Sequence, residues 1–240
     1  MITLALDTTT AGSVAVLDES TMLVERAGRP EMPHAMRLPG DLLDALAAAG
    51  RSIDDVSLLA VAAGPGAFTG LRIGIATMQG LAFARGLPLV GISALDALAA
   101  TATERAAPRG DTVDGPAPHG APVPAEAGSH GDRSPNRVLP TPKAARVLAC
   151  MDAARGEVFA ALYEATDPPP LTAGPLVAPI DRLLALWGPL VSGVEILVIG
   201  DGGIRYADAL QRWRADLRIV EPTPLLARSI GRRAREAYAS

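Results

Sequence analysis

Apolar and polar positions alternate in two different rhythms along the first hundred residues of the chain. Short runs rich in branched apolar residues predict four strands, at residues 2–7, 13–17, 58–63 and 89–92. Apolar residues three and four positions apart predict three helices, at residues 38–49, 69–85 and 95–103. Strands that alternate with helices in this way are typical of an α/β domain.

The same alternation returns after residue 144. Apolar runs predict strands at residues 147–152, 157–163, 195–199 and 217–220, and helical spacing predicts helices at 180–187, 206–214 and 224–238. Between the two halves, residues 105–143 contain eight prolines and five glycines and offer almost nothing to bury. This segment is therefore predicted to be a flexible loop insertion without a packed conformation of its own.

Two motifs occur in the same order in both halves. Asp7-Thr-Thr-Thr-Ala-Gly12 precedes a predicted strand, and so does Asp152-Ala-Ala-Arg-Gly156. A later strand leads into Gly64-Pro-Gly66 and a helix in the first half, and into Gly200-Asp-Gly-Gly203 and a helix in the second. The repeated order predicts a duplicated α/β unit of the actin/Hsp70-like (ribonuclease H-like) kind, with lobes at residues 1–104 and 144–240.

The predicted helix that follows Gly64 is apolar on nearly every side. Small residues stand four apart at Gly70 and Gly74, and again at Ala76 and Gly80, so another backbone can approach on either of two sides. One side can lie on the sheet of its own lobe, and the opposite side then needs a further layer. We expect a partner protein to supply that layer. A helix sandwiched entirely within its own domain is the alternative.

Candidate catalytic chemistry is scarce. His34 is the only histidine outside the insertion and no usual metal-ligand spacing is present, so no metal site and no catalytic residue is predicted. Cys150, the single cysteine, lies in an apolar run and is predicted to be a core residue. The two turn aspartates could belong to a vestigial nucleotide site, or they could simply satisfy local amides in their turns. The residues of that vestigial site are Asp7, Asp152, Gly200 and Gly202.

Bulk properties narrow the function classes further. The formal charge is −4 with a pI near 5.4, and the chain has three phenylalanines, three tyrosines and two tryptophans. Proteins that hold RNA alone use a basic surface or an aromatic stacking platform, so an independent grip on RNA is not expected. No run of 18 apolar residues is present, and with one cysteine no internal disulfide is possible, which predicts a cytoplasmic protein.

Four segments resemble the bacterial TsaB (YeaZ) family, a subunit of the machinery that attaches threonylcarbamoyl to an adenosine of tRNA. They are LALDTTTAGSVAVL at residues 4–17, PHAMRLPGDLLDAL at 33–46, GPGAFTGLRIGIATMQGLAFARGLPLVGISALDAL at 64–98 and MDAARGEVFAALYE at 151–164. The resemblance implies an actin-like fold and a partnership with the catalytic subunit TsaD, with the ATPase TsaE completing the complex. It implies that ATP and metal are bound by the partner subunits, that tRNA is reached through the complex, and that a homodimer can form when the chain is alone.

The resemblance also implies where the partner binds. In the family, the counterpart of the glycine-rich helix forms the dimer surface together with the helix before it. Carried over residue by residue, the expected partner surface consists of Leu38, Leu42, Gly64, Gly66, Phe68, Gly70, Arg72, Ile73, Gly74, Ala76, Thr77, Gly80 and Leu81.

The related catalytic subunit carries a metal-binding His-x-x-x-His pair, and here the corresponding positions are Ala94 and Leu98. Neither side chain can bind a metal, so the resemblance implies a non-catalytic subunit. Two alternatives stay open at this point. One is a nucleotide-hydrolysing or phosphotransfer enzyme that uses Asp7 and Asp152, and the other is the older glycoprotease label for such proteins.

Overall fold

The computed structural model describes residues 1–9, 12–29, 32–106, 145–221 and 223–240. The predicted insertion at 105–143 lies outside the described residues, except that residues 105 and 106 continue a helix. None of the helices within the described ranges combines the length and the apolarity that a bilayer crossing requires.

The first sheet has five strands in the order β3-β2-β1-β4-β5. The first three are antiparallel neighbours, and β4 and β5 continue the sheet parallel to β1. Their bounds are β1 Ile2–Asp7, β2 Ser13–Asp18, β3 Thr21–Ala27, β4 Val56–Gly64 and β5 Leu89–Ser93.

The second sheet repeats this arrangement in the order β10-β9-β6-β7-β8. Here β6, β7 and β8 are antiparallel neighbours, and β9 and β10 run parallel to β6. Their bounds are β6 Ala145–Asp152, β7 Glu157–Glu164, β8 Leu171–Pro179, β9 Glu195–Ile199 and β10 Arg218–Ile219. The matching strand order and directions confirm the predicted duplicated, two-lobe actin-like fold.

Seven α-helices accompany the two sheets in the described ranges. Their bounds are α1 His34–Ala48, α2 Phe68–Arg85, α3 Ala94–Ala106, α4 Ile180–Trp187, α5 Asp201–Arg205, α6 Ala207–Trp213 and α7 Ala227–Ala239. Helices α1 and α2 pack on the outer face of the first sheet, α4 and α6 on the outer face of the second, and α3 and α7 lie between the sheets. The molecule is thus layered helix, sheet, helix, sheet, helix.

Alternation along strand β1 shows how the layers are filled. Leu4 and Leu6 belong to the outer core beneath α1 and α2, whereas Ala5 faces the central layer. A Cβ placed on Gly231 of α7 would lie 3.2 Å from the Cβ of Ala5 and 2.5 Å from Leu17 Cδ1. Small residues therefore line the central layer because a helix backbone lies directly against the sheet there, and this explains why so much of the core is alanine.

Helix α7 packs where the sequence did not place it. The predicted ranges assign it to the second lobe, yet it lies on the first sheet. The Ala227 amide donates to Ser13 Oγ over 3.1 Å, and the Arg228 amide donates to Glu25 Oε1 over 2.9 Å. One continuous apolar core joins the inner faces of both sheets to α3 and α7, so the two lobes are fused through their middle layer.

Candidate functional site

Helix α2 is anchored to the turn between β1 and β2. A Cβ placed on Gly66 would lie 2.6 Å from Thr9 Cβ and 2.8 Å from Thr9 Cα, so only glycine fits there. The Ala67 amide donates to the Thr9 carbonyl over 3.2 Å. The glycine-rich segment before α2 is therefore packed on protein backbone at its first turn.

The inward side of α2 is formed by Gly70 and Gly74. A Cβ on Gly70 would collide with the Thr8 carbonyl oxygen, and a Cβ on Gly74 would collide with Thr8 Oγ1 and lie 2.9 Å from Thr8 Cγ2. Leu38 and Leu42 of α1 are likewise buried in the outer core. These four positions of the expected partner surface are covered by their own lobe, and a contact with a partner there stays a prediction.

The outward side of α2 carries a stripe with a bulky aromatic residue at each end. Phe68 is 72% exposed and Phe83 is 92% exposed, and between them the stripe continues through exposed Arg72, Ala76 and Gly80. A Cβ on Gly80 would meet nothing within 4 Å. Small residues in the middle of an exposed helix face let a second helix approach closely, while the two phenylalanines offer large apolar contacts.

Helix α1 extends this surface with Met36, Gly40 and Leu43, which are exposed on the same helix layer. Sequence reasoning missed Met36, Leu43 and Phe83. We use the term α1–α2 surface for the exposed residues Met36, Gly40, Leu43, Phe68, Arg72, Ala76, Gly80 and Phe83. The remaining predicted interface positions Gly64, Ile73, Thr77 and Leu81 are half-buried beside it.

His34 stands at the inner edge of this layer. Its Nδ1 lies 2.8 Å from Arg37 Nη2, and burial together with the positive charge of Arg37 lowers the pKa of the imidazole. A Cβ on Gly70 would lie 3.5 Å from the His34 ring. His34 therefore packs between α1, α2 and the first turn, as a neutral side chain at neutral pH.

Hydrogen bonds tie Asp7 to Thr9 at the start of the first turn. Asp7 is almost fully buried, and its Oδ1 accepts hydrogen bonds from the Thr9 amide over 2.8 Å and the Thr9 hydroxyl over 2.6 Å. Burial raises the pKa of Asp7, because a carboxylate loses hydration there. Because α2 lies on Thr8 and Thr9, the main role of the Asp7 side chain is to fix the conformation at the start of its own turn.

The second turn is held differently. Asp152 forms an ion pair with Arg205 over 2.9 Å, and Asp201 Oδ1 accepts from the Asp152 amide over 3.1 Å and the Gly202 amide over 3.0 Å. A Cβ on Gly202 would lie 2.8 Å from the Met151 carbonyl carbon, and one on Gly200 would collide with the Cys150 carbonyl oxygen. Three residues of the predicted vestigial site, Asp152, Gly200 and Gly202, are thus brought together.

The negative charge of Asp201 in the second turn adds a small contribution to the raised pKa of Asp7, after the larger effect of burial. Burial also raises the pKa of Asp201 itself. Asp7 and Asp201 therefore lie within electrostatic range of each other. Binding of a nucleotide between them stays a prediction.

Ala94 and Leu98 are the positions that the resemblance implies correspond to the metal-binding histidines of the related catalytic subunit. Both side chains are buried in the central core. The Leu98 Cδ1 atom lies 3.1 Å from the position that a Cβ on Gly200 would take. At these positions, apolar core side chains lie beside the second turn.

Cys150 is fully buried beside the second turn, and burial raises the pKa of its thiol to about 12. A thiol with so high a pKa carries almost no thiolate at neutral pH. Its predicted role as a core residue is confirmed by its position in the outer core of the second lobe.

Comparisons with known proteins find TsaD-type and TsaB-type proteins, both named for the threonylcarbamoyl modification of tRNA adenosine. Residues 30–115 match the family described as TsaD, tRNA N6-adenosine threonylcarbamoyltransferase. The chain is 41% identical over 97 residues to the tRNA threonylcarbamoyladenosine biosynthesis protein TsaB of Escherichia coli, and 44% identical over 104 residues to that of Haemophilus influenzae. These alignments cover 40% and 42% of this chain but only 42% and 43% of the two relatives, so the chain matches less than half the length of these curated proteins.

A solved structure extends the similarity over both lobes. YeaZ from Pseudomonas aeruginosa superimposes with a TM-score of 0.71 at 28% sequence identity, covering 99% of this chain and 92% of that one. The similarity in fold therefore extends over nearly the whole chain.

Proposed function

Because the chain belongs to the TsaB (YeaZ) family, we propose that it is a non-catalytic subunit of the complex that transfers threonylcarbamoyl to the adenosine next to the tRNA anticodon. In this proposal it binds the catalytic TsaD subunit, and the TsaE ATPase joins the complex. ATP and metal are held by those partners, tRNA is reached through the complex, and the assembly works in the cytoplasm.

One observation carries the proposal: the α1–α2 surface is exposed, is apolar except for Arg72, and has small residues between its two phenylalanines. Phe68 and Phe83 are both largely exposed, at the two ends of α2 and about 22 Å apart at 1.5 Å per residue. Aromatic side chains that project from a surface with small residues between them are typical anchors of a protein interface. Covering this face also supplies the layer that the apolar helix α2 lacks on its outer side.

The two turns support the non-catalytic part of the proposal. The first is packed under the glycines of α2, and the second is filled by Asp201, Gly200 and Leu98. In addition, the continuous core through α3 and α7 fastens the two lobes together, so that a closing motion around a substrate has to break apolar packing. Nucleotide turnover by the isolated chain is the competing function, and the assay below includes it.

A binding titration with purified TsaD tests the proposal. The wild-type chain should bind TsaD and show no ATP turnover of its own. Phe83→Ala should weaken binding by about tenfold to a hundredfold, as removal of an exposed aromatic anchor does, while its melting temperature stays that of the wild type.

Leu186→Ala is the matched control, because Leu186 is an apolar side chain 61% exposed on the outer helix layer of the second lobe. It should bind TsaD like the wild type. Wild-type protein that fails to bind TsaD, or that hydrolyses ATP alone, would overturn the proposal.

A further inference from the structure

Arg72 is the one charged residue on helices α1 and α2 without an opposite charge in the described part of the chain. Each of the others has such a neighbour: Arg37 pairs with Asp41, Asp44 lies 4.0 Å from Arg29, and Arg85 pairs with Asp54. The guanidinium of Arg72 instead rests over the ring of Phe68, with its central carbon 5.2 Å from the ring centroid.

The position of Arg72 shows what its unmatched charge requires of a docking partner. It lies on the outward stripe of α2, four residues from Phe68 and four from Ala76, so a helix that docks on the stripe covers the guanidinium. A covered guanidinium brings five N–H donors out of water, and contact with an aromatic ring satisfies none of them with an acceptor atom. Docking is therefore favourable only if the partner supplies an acceptor there.

We propose that Arg72 pairs with a carboxylate on the partner's docking helix and thereby selects that partner over a second copy of this chain. This rests on the proposed function, which names the α1–α2 surface as the place where the catalytic subunit binds. The flat, two-pronged guanidinium matches a carboxylate, and the Phe68 ring holds it in place before docking.

A second copy of the chain is a poor source of that carboxylate. Helix α2 carries no acidic residue, and the exposed carboxylate on α1 is that of Asp44, which lies beside Arg29. A symmetric pairing of two α1–α2 surfaces thus brings two Arg72 guanidinium groups into one apolar interface with few acceptors. Self-association should consequently be weaker than binding to an acidic partner.

The test is a calorimetric titration of TsaD with wild type, Arg72→Gln and Arg72→Lys, together with the self-association of each chain by analytical ultracentrifugation. Arg72→Gln should weaken TsaD binding by about tenfold to a hundredfold and remove most of its salt dependence. The affinity of Arg72→Lys for TsaD should lie between that of the wild type and that of Arg72→Gln, because an ammonium keeps the charge but not the two-pronged contact. Self-association of Arg72→Gln should stay the same or become stronger.

Arg182→Gln is the matched control, the same change at an exposed arginine on α4 of the second lobe, and it should bind like the wild type. If the wild type binds TsaD and Arg72→Gln binds within twofold of it, the Arg72 inference is wrong while the proposed function stands. Failure of the wild type to bind overturns both. If Arg72→Gln and Asp44→Asn both weaken self-association, the carboxylate belongs to a second copy and the proposed selection is overturned.

Discussion

In the first lobe an 18-residue helix covers the β1–β2 turn, whereas in the second lobe the equivalent turn is held by a five-residue helix and an ion pair. The strand order of the two sheets is the same, so the difference arises after the fourth strand of each unit. Two glycines in register with Thr8 let α2 lie flat on the first turn. The duplicated framework thus accommodates either arrangement, and the covering helix decides which face is left for a partner.

The outer helix layers of the two lobes also differ in the apolar side chains that they expose. The second lobe also exposes apolar side chains, at Leu186 and Leu190, but these are aliphatic and stand near one end of its helix layer. The first lobe presents two phenylalanines at the ends of one long helix. The two lobes therefore differ in the kind and spacing of their exposed apolar side chains, and not in whether such side chains are exposed.

The largest effect should come from filling the space between α2 and the first turn. Gly70→Ala pushes a methyl group into the Thr8 carbonyl, and backbone in a packed turn moves only at a cost, so we expect a loss of about 1–3 kcal/mol in unfolding free energy. Gly80→Ala on the outward side should instead stabilise by about 0.5–1 kcal/mol, because alanine favours a helix interior. Urea unfolding measures both. Equal effects of the two substitutions would contradict the assigned orientation of α2.

A smaller effect should come from removing the buried charge of the first turn. The folded-state pKa of Asp7 is raised above that of the unfolded chain, so Asp7 adds stability at low pH that is lost as pH rises through its folded pKa. Asp7→Asn keeps an acceptor for Thr9 without the charge. It should melt higher than the wild type at pH 7, and this advantage should shrink as pH falls toward 3.8. A lower melting temperature at pH 7 would show that the ionised carboxylate is needed.

The smallest effect should come from the ion pair of the second turn. Arg205 is more than half exposed, and exposed ion pairs contribute only about 0–1 kcal/mol. Arg205→Ala should therefore change the melting temperature by no more than a few degrees and lose its effect at high salt. A destabilisation as large as that of Gly70→Ala would mean that this ion pair contributes as much to stability as the packing of α2 on the first turn.

Much of this architecture could be predicted from the sequence, because most strands are short apolar runs bounded by turn residues. Strands β3 and β8 were missed. Both are largely exposed edge strands, so β3 lacks a clear apolar alternation, and Gly174 and Pro175 interrupt β8. The position of α7 was missed because hydrophobic periodicity shows that a helix has a buried face but not which sheet covers it.

The orientation of α2 could not be predicted for a related reason. A helix that is apolar all round gives no polar side to mark its surface, and its two pairs of small residues were equivalent in the sequence. Only contact with Thr8 distinguishes Gly70 and Gly74, which are buried, from Ala76 and Gly80, which are exposed. For the same reason Phe83 was not predicted to be exposed, since the sequence of such a helix does not distinguish an exposed phenylalanine from a buried one.

The docking of α7 on the first sheet has a consequence for synthesis of the chain. The ribosome makes the strands of the first lobe well before α7, which follows β5 by more than a hundred residues. At usual elongation rates this interval is roughly 10–30 seconds. During it the small-residue face around Ala5 and Leu17 has no covering helix, so the emerging first lobe is a natural client for chaperones until translation has passed residue 239.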